Sequence, residues 1–400
     1  MRVLIHTDEY SPTAQACTNR MRSFSDALMA AGADVTVICS KGNLENGTPR
    51  LGPEKVIYAP AFRMRKKTAA RRLLNNITFG ISSFLCALGV GKIDAVITTS
   101  PPPLVSLSGW LITKVKKSKL IYDVRDIWPD VALEMGSFSE TSIYCRMFRK
   151  VTAFMYQHAD LITTVSPGKL EKIKNYCHLE ENCGDRLLLI SNGFDENVSK
   201  SPIDERIAEK FDLRKAPCCV YIGNIGLAQG LDALLRLAAE TSHREVRFLL
   251  FGKGAEKEKL ECLAKEMGLN NVLFCGPLPF DQVHTVLHYA AVSFISLKSS
   301  RMQDSIPTKL YEALGIGCPV LLMAEGDACE ILDETGLGVH LSPDHPEKLA
   351  EVFDKLMDKI SELGQHREFA RRLMHSRYTR QQNGAVLAER LQRKFGEGRN

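Results

Sequence analysis

Several absences narrow the reading before any motif is considered. The 400 residues contain no low-complexity tract and no internal repeat, which excludes disordered and solenoid architectures. The twelve cysteines form no C-x-x-C and have no paired histidines. Apart from Cys218-Cys219 they stand singly, most of them inside apolar runs as Cys39, Cys86 and Cys275 do. That spacing excludes a disulfide framework and a structural zinc site, and it fits free thiols in a reducing cytoplasm. The opening Met1–Asp8 has too short an apolar run for a signal peptide. Two uncharged windows, Leu73–Gly91 and Ala95–Thr113, reach membrane-spanning length, but the first carries Asn75 and Asn76 and the second Pro101-Pro102-Pro103. Neither reads as a transmembrane segment.

What is present is ordinary for a globular protein: 44% apolar and 25% charged residues. Four hundred residues exceed one common core, so two domains are expected. The net charge of +5 is modest, and no nucleic-acid partner is expected from it. Its distribution matters more. The run Arg63-Met64-Arg65-Lys66-Lys67, with Arg71 and Arg72, precedes the uncharged Leu73–Gly91. Residues 62–92 therefore suit peripheral association with an anionic membrane face, or else a solvated loop leading into a buried helix.

Both halves of the chain alternate β-rich runs with helical patterns. In the first, strands are expected at Val3–His6, Asp34–Cys39, Ala95–Thr99, Lys119–Asp123, Leu161–Val165 and Leu187–Ile190, with a helix at Arg20–Ala31 closed by Gly32. In the second they are expected at Cys218–Ile222, Arg247–Phe251, Val272–Phe274, Val292–Ser296, Pro319–Met323 and Val339–Leu341, between helices at Leu231–Glu240 and Lys257–Met267. Helices at Pro346–Leu363 and Gln382–Phe395 close the chain. Such alternation implies parallel sheets covered on both faces. The boundaries read as 1–198, 199–375 and a terminal helical segment, 376–400, packing back on the first domain. Two doubly wound domains would place the site in a cleft at the carboxyl ends of their strands.

The most informative segment runs from Gln303 to Gly315. Pro307 stands where a helix should begin, and free N–H groups at a helix start favour a phosphate. Ser305, Ile306, Thr308 and Leu310 frame that turn. Lys309 adds a point charge, and Glu312 follows three residues on, along the same face. A carboxylate there can accept from two neighbouring hydroxyls, as on a ribose. Asp304 precedes Glu312 by eight positions. Acids at both ends with an anion site between them suit a nucleotide sugar. The plain alternative is a Lys309–Glu312 surface pair with Asp304 capping the helix.

From about Cys218 to Phe353 the chain resembles the donor domain of glycosyltransferase family 4. Four ordered blocks carry the resemblance: Tyr221-Ile222-Gly223-Asn224-Ile225-Gly226 with Gln229-Gly230; Phe251-Gly252-Lys253-Gly254; Asn271 through Gly276; and Glu312-Ala313-Leu314-Gly315 through Val320. The resemblance implies a GT-B fold and two acids eight apart, the first on the sugar and the second on the ribose. Asp304 occupies the first position, where glutamate is usual. Asn224 and Gln229 stand in the strand-to-helix loop, where an Arg and a Lys often meet the diphosphate, which leaves Lys309 as the main cation. Gly223, Gly252, Gly254 and Gly276 complete the implied donor site. The loop 223–230 and Ile306–Lys309 resemble a branch that builds bacterial surface polysaccharides, O-antigen or capsule, and includes transferases of N-acetylated amino sugars such as fucosamine.

The first half resembles the acceptor domain of the same family more loosely. Its opening Tyr10-Ser11-Pro12-Thr13 through Arg20 is a strand-to-helix loop, and Arg20 is a phosphate candidate or a helix-surface cation. In Tyr122–Pro129, Asp126 suits the base for an acceptor hydroxyl and Arg125 a phosphate contact, against a structural Arg–Asp cluster. The loop Thr99–Pro103 is a candidate for the acceptor path.

The implied activity is transfer of a sugar, with retention, from a nucleoside diphosphate, with UDP expected, to a lipid-linked or saccharide acceptor at the cytoplasmic face of the membrane. Lys309, Asp304 and Asp126 are the catalytic candidates. No Asp-x-Asp pair is present, so neither an essential metal nor a cofactor is expected. A nucleotide-sugar epimerase of the same fold and a non-catalytic nucleotide-sugar-binding protein are the alternatives. A dehydrogenase would rest on Gly252-Lys253-Gly254 alone, and the third glycine of the dinucleotide fingerprint is replaced by Lys257.

Overall fold

The computed structural model describes residues 1–10, 16–41, 52–63, 69–134, 139–177 and 185–396. Ser11, Pro12 and Thr13 of the opening loop, and Met64, Arg65, Lys66 and Lys67 of the basic run, lie outside the described residues. The chain forms two compact units, Met1–Asn192 with Arg380–Asn400, and Gly193–Thr379.

The first unit is built on a wholly parallel sheet of β1 (Arg2–His6), β2 (Asp34–Ser40), β3 (Lys55–Ala59), β4 (Ala95–Ser100), β5 (Lys119–Val124), β6 (Leu161–Thr164) and β7 (Leu187–Leu189), in the order β3-β2-β1-β4-β5-β6-β7. β4 is buried at every residue, as parallel strands covered on both faces require. The helix Ala16–Ala30 follows β1 and stops at Gly32, whose φ of 78° lets Ala33 N–H reach back to the Leu28 carbonyl. The last helix, Arg380–Phe395, belongs to this unit. It sets Leu387, Ala388 and Leu391 into the core beside Phe24 and Leu28. Gly384 permits that approach, because a Cβ there would lie 2.5 Å from the Ser23 carbonyl oxygen.

The second unit repeats the plan with β8 (Cys218–Ile222), β9 (Arg247–Phe251), β10 (Val272–Gly276), β11 (Val292–Ser296), β12 (Val320–Met323) and β13 (Gly338–Leu341), ordered β10-β9-β8-β11-β12-β13 and again all parallel. Its entry and exit lie side by side, with Phe194 N–H donating to the Tyr378 carbonyl. In both sheets strand order reverses beside the first strand of the unit, at β1/β4 and at β8/β11. Those are the switch points where doubly wound sheets take their ligands.

The structure differs from the sequence reading at several points, among them the start of the first helix, at Ala16 rather than Arg20. β3 was not expected. It is an edge strand whose residues are mostly half-exposed, so it lacks a clear apolar pattern. Pro346–Leu363 is not one helix but a helix at Leu349–Asp358 between two 3₁₀ turns. The helix Gly364–Arg377 was unread because it is polar nearly all round and buries only Ala370 and Met374. Of the two long uncharged windows, one is the helix Ala69–Leu88 and the other divides into β4 and the helix Pro103–Lys116. No helix among the described residues is long and apolar enough to cross a membrane. All cysteines with described side chains are unbridged.

Arg20 ties the first unit together. Its guanidinium is 2% exposed and donates from Nε and Nη2 to the Asp123 carboxylate, with Nη2–Oδ1 at 2.7 Å, and from Nη1 to the Ile190 carbonyl at 2.7 Å. Asp123 also accepts from Thr99 and Thr163. Removing one partner strands a buried charge, so Asp123→Ala should cost about 3–5 kcal/mol, whereas an apolar pair in place of both residues should recover much of the loss. Urea unfolding of the single and double variants checks this; a single variant as stable as wild type would contradict it.

Candidate active site

In the second unit, the helix Thr308–Ile316 begins after β11, with Pro307 as its N-cap residue (φ −60°, ψ 131°). Pro307 has no side-chain oxygen to offer the first turn, so those N–H groups are left uncapped by it. Ile306, Leu310, Ala313 and Leu314 form the inner stripe and are buried in the core. Of the turn named from the sequence, Ile306 and Leu310 therefore present only backbone outward, and Lys309 and Glu312 carry its charge. Asp304 is 6% exposed, on a segment held by Asp327 N–H to the Gln303 carbonyl. The segment lies so close to Gly326 that a Cβ there would sit 2.1 Å from that carbonyl oxygen.

Lys309 reaches back across the end of β8. Its Nζ donates to the Tyr221 hydroxyl at 2.5 Å and lies 4.0 Å from the centre of the same ring. That hydroxyl in turn donates to the Asn224 carbonyl, also at 2.5 Å. The lysine stem runs over Gly223, where a Cβ would fall 2.3 Å from Cε, so any larger residue displaces the lysine. Burial pulls the ammonium pKa down to about 7, and Glu312 opposes the fall without cancelling it. A phosphate arriving at this turn would meet a cation already desolvated and positioned.

The glycines named from the sequence have specific backbone reasons. Gly252 (φ 156°) leaves no room for a Cβ against the Gly223 carbonyl, and Gly254 leaves none against Ile225. The loop after β8 is laced to the end of β9 by Gly223 N–H to the Phe251 carbonyl and Ile225 N–H to the Lys253 carbonyl. Gly276 has open space around it but a φ of 77°. The Asn224 and Gln229 side chains converge over Gly226. Gln229 Oε1 is buried with no hydrogen-bond partner among the described residues. Ser305 donates its N–H to the Met302 carbonyl.

Two groups at this strand-end edge have no role assigned from the sequence. One is Tyr221, which fixes Lys309. The other is the exposed Lys298, just after β11 at the switch point, whose N–H donates to the Ala228 carbonyl in the β8 loop. Position after a switch-point strand was the available signal for Lys298. Tyr221 stands in the first resemblance block, but no signal marked its contact with Lys309, because a buried tyrosine in a strand reads as core.

In the first unit, Arg20 is neither a helix-surface cation nor turned to solvent; Asp123 and backbone carbonyls take up its guanidinium. Arg125 donates from Nε to Thr99 Oγ1 at 3.0 Å and from Nη2 to the Pro101 carbonyl at 2.6 Å, so it braces the Thr99–Pro103 loop. Asp126 is 38% exposed, 3.9 Å from the buried Lys169 ammonium. Asp8, after β1, was not singled out from the sequence. Burial and the neighbouring Glu9 raise its pKa to about 7, against the pull of Arg125.

Comparison with known proteins gives this arrangement its context. Residues 203–372, within the second unit, match the family described as Glycosyl transferases group 1. WbjE of Pseudomonas aeruginosa, named as a glycosyltransferase, is 24% identical over 277 residues, 68% of each chain. WcaI of Escherichia coli K12, named as a glycosyl transferase of colanic acid biosynthesis, is 23% identical and covers 87% of this chain and 90% of its own. HepE of Anabaena, solved in complex with UDP-glucose, superposes with a TM-score of 0.74 at 14% identity, over 98% of this chain and all of its own. The chain is a glycosyltransferase of the GT-B fold.

The resemblance carried by the four sequence blocks thus holds at the level of the group 1 domain, and the first two of those blocks run over the carboxyl ends of β8 and β9. Among the described residues of the glycosyltransferase, no cluster of three or more His, Cys, Asp or Glu side chains could hold a metal ion. Its most perturbed cation should be directly observable. In the free enzyme, the Lys309 side-chain resonances should titrate near pH 7, while surface lysines stay protonated to about pH 10. Selective lysine labelling with NMR detection checks this; a midpoint in the ordinary lysine range would remove the desolvated ammonium from the site.

Proposed function

We propose that this glycosyltransferase moves a sugar from a nucleoside diphosphate to a lipid-linked or saccharide acceptor during synthesis of a bacterial surface polysaccharide. The names of WbjE and WcaI support the general reaction, and that of WcaI supports the polysaccharide setting. UDP is the nucleotide we infer, in line with the UDP-glucose bound by HepE. An N-acetylated amino sugar is the proposed cargo and retention the proposed stereochemistry, both following from the family resemblance.

The observation that carries the reading is Lys309, held on Tyr221 at a helix start that Pro307 itself leaves uncapped, with Glu312 one turn on. We assign the diphosphate to the N–H groups of Thr308 and Lys309 and to the Lys309 ammonium. Glu312 takes the ribose hydroxyls and Asp304 the sugar. Asn224, Gln229 and the glycine-lined loops supply neutral and backbone donors. In the reaction the anomeric carbon–oxygen bond breaks and its electron pair leaves on the diphosphate. The acceptor oxygen bonds to the anomeric carbon and gives up its proton, which we assign to Asp126, with Arg125 near the acceptor's phosphate. Charge builds on the leaving diphosphate, so preorganised N–H groups and the ammonium do most of the stabilising. No resident metal or cofactor forms part of this proposal.

A lipid-linked acceptor fits the outer face of the helix Ala69–Leu88. That helix buries Phe79, Ser83 and Ala87 and turns Leu74, Ile77, Ile81, Leu85 and Leu88 outward, with Ile81 60% and Leu85 58% exposed. Arg71 and Arg72 stand exposed at its start. A continuous apolar stripe headed by cations matches an anionic membrane surface.

Lys309→Ala should cut transfer by roughly 10²–10³, a loss of about 3–4 kcal/mol at the transition state, and Glu312→Ala should chiefly weaken UDP binding. Because phosphate prefers the ammonium form, UDP affinity of the wild type should fall as pH rises above 7, and Lys309→Ala should flatten that dependence. Calorimetry and radiolabelled transfer check both. Near-normal turnover of Lys309→Ala would remove it from the mechanism. Separately, Ile81→Asp with Leu85→Asp should abolish binding to phosphatidylglycerol vesicles while sparing UDP affinity. Vesicle binding that persists in this variant would assign the membrane contact elsewhere.

A further inference from the structure

A second basic site lies in the donor unit, built from residues the transfer reaction does not use. The helix Gly364–Arg377 carries Arg367, Arg371 and His375 at successive i, i+4 positions, with Arg372 beside them. These line a hollow of about 510 Å³, together with His288 and the C-terminal turn of the helix that bears Lys309 at its other end. Glu368 is the one carboxylate in that lining.

Part of this charge has a structural explanation. Arg367 Nη1 donates to the Gly317 carbonyl at 3.2 Å, capping the helix end, where a cation opposes the dipole favourably. His375 faces Glu196, with Nδ1 3.8 Å from Oε1. Arg371 and Arg372 have no such account. Neither has a hydrogen-bond or ion-pair partner among the described residues, although the charge of Arg371 is felt by both His284 and His375. His284, one turn behind His288, has a buried Nδ1 with no hydrogen-bond partner among the described residues. Like charges four apart on a helix repel by about 0.2–0.5 kcal/mol a pair. A helix that keeps them around a hollow is arranged for a counter-charge from outside.

We propose that this hollow binds a phosphate group, with Arg371 and Arg372 as its principal donors and His288 at its rim. Guanidinium forks match phosphate oxygens two at a time, which is the pairing that idle arginines beside a cavity can offer. The phosphate can come from a soluble phosphorylated molecule or from a lipid headgroup; the recognition chemistry is the same. The inference is independent of the role given to Lys309.

The test is NMR of the histidine rings in the full-length protein, titrated in one arm with inorganic pyrophosphate and in the other with phosphatidylglycerol vesicles. The His288 and His375 signals should move saturably in at least one arm, with Kd of about 1 mM or tighter. Response to pyrophosphate assigns a soluble ligand, and response to vesicles alone assigns a headgroup. The paired variant Arg371→Gln/Arg372→Gln, both sites being exposed, should fold normally and weaken the response by about tenfold or more. Lys309→Ala should leave it unchanged, which separates this hollow from the donor site. Absence of saturable movement in both arms, or an equal response in the paired variant, would overturn the proposal.

Discussion

The second unit depends on a cation held where water is scarce. Lys309 could have extended into solvent from an exposed helix face; instead it folds back over Gly223 and rests its ammonium on Tyr221. Three neighbouring features accommodate that side chain. Position 223 has to lack a Cβ, Gly252 has to make room for the Gly223 backbone, and Tyr221 has to sit at the end of the central strand β8. Desolvation without a full counter-charge is unfavourable to the ammonium, which is why its pKa falls to about 7. By linkage the folded protein binds fewer protons than the unfolded chain between about pH 7 and pH 10. The cost is therefore complete below 7 and is relieved as pH rises through that window. A phosphate bound there, as proposed, would relieve the same cost by supplying the missing charge.

Under the proposed assignment, the loop after β8 would meet a diphosphate without a charged side chain of its own. Asn224 and Gln229 provide only neutral amides, so the electrostatic work concentrates on one ammonium and one helix start. The exposed Lys298, across the switch point from the β8 loop, is the natural auxiliary. Concentrated charge of this kind requires exact placement, and the tyrosine and glycine provide it.

Much of the fold was legible because its strands are buried on both faces and read as short apolar runs. Cys218–Ile222, Arg247–Phe251 and Val292–Ser296 were placed at the bounds the structure gives. What escaped was weakly patterned: β3 at a sheet edge, and the helix Gly364–Arg377, whose polar surface hides two buried positions. The candidate site was legible as a set of residue types in order along the chain. The contacts between those residues were not, because they join segments far apart in sequence. Tyr221 and Lys309 are 88 positions apart, and Arg20 and Asp123 are 103 apart. Periodicity within a window cannot see either pair.

Those two desolvated cations contrast a structural charge with the one proposed to be functional. Arg20 is surrounded by acceptors, with a bidentate carboxylate below it and a carbonyl beside it, so its charge is neutralised and its geometry fixed. Nothing is left for a ligand to supply. Lys309 has a hydroxyl, an aromatic face and a carboxylate one turn away, and these orient an ammonium without neutralising it. Sequence gave both residues the same description, a basic side chain at the start of a helix after a strand. The difference lies in the number of acceptors that folding delivers to each, and that number decides whether a buried cation holds the fold together or waits for an anion.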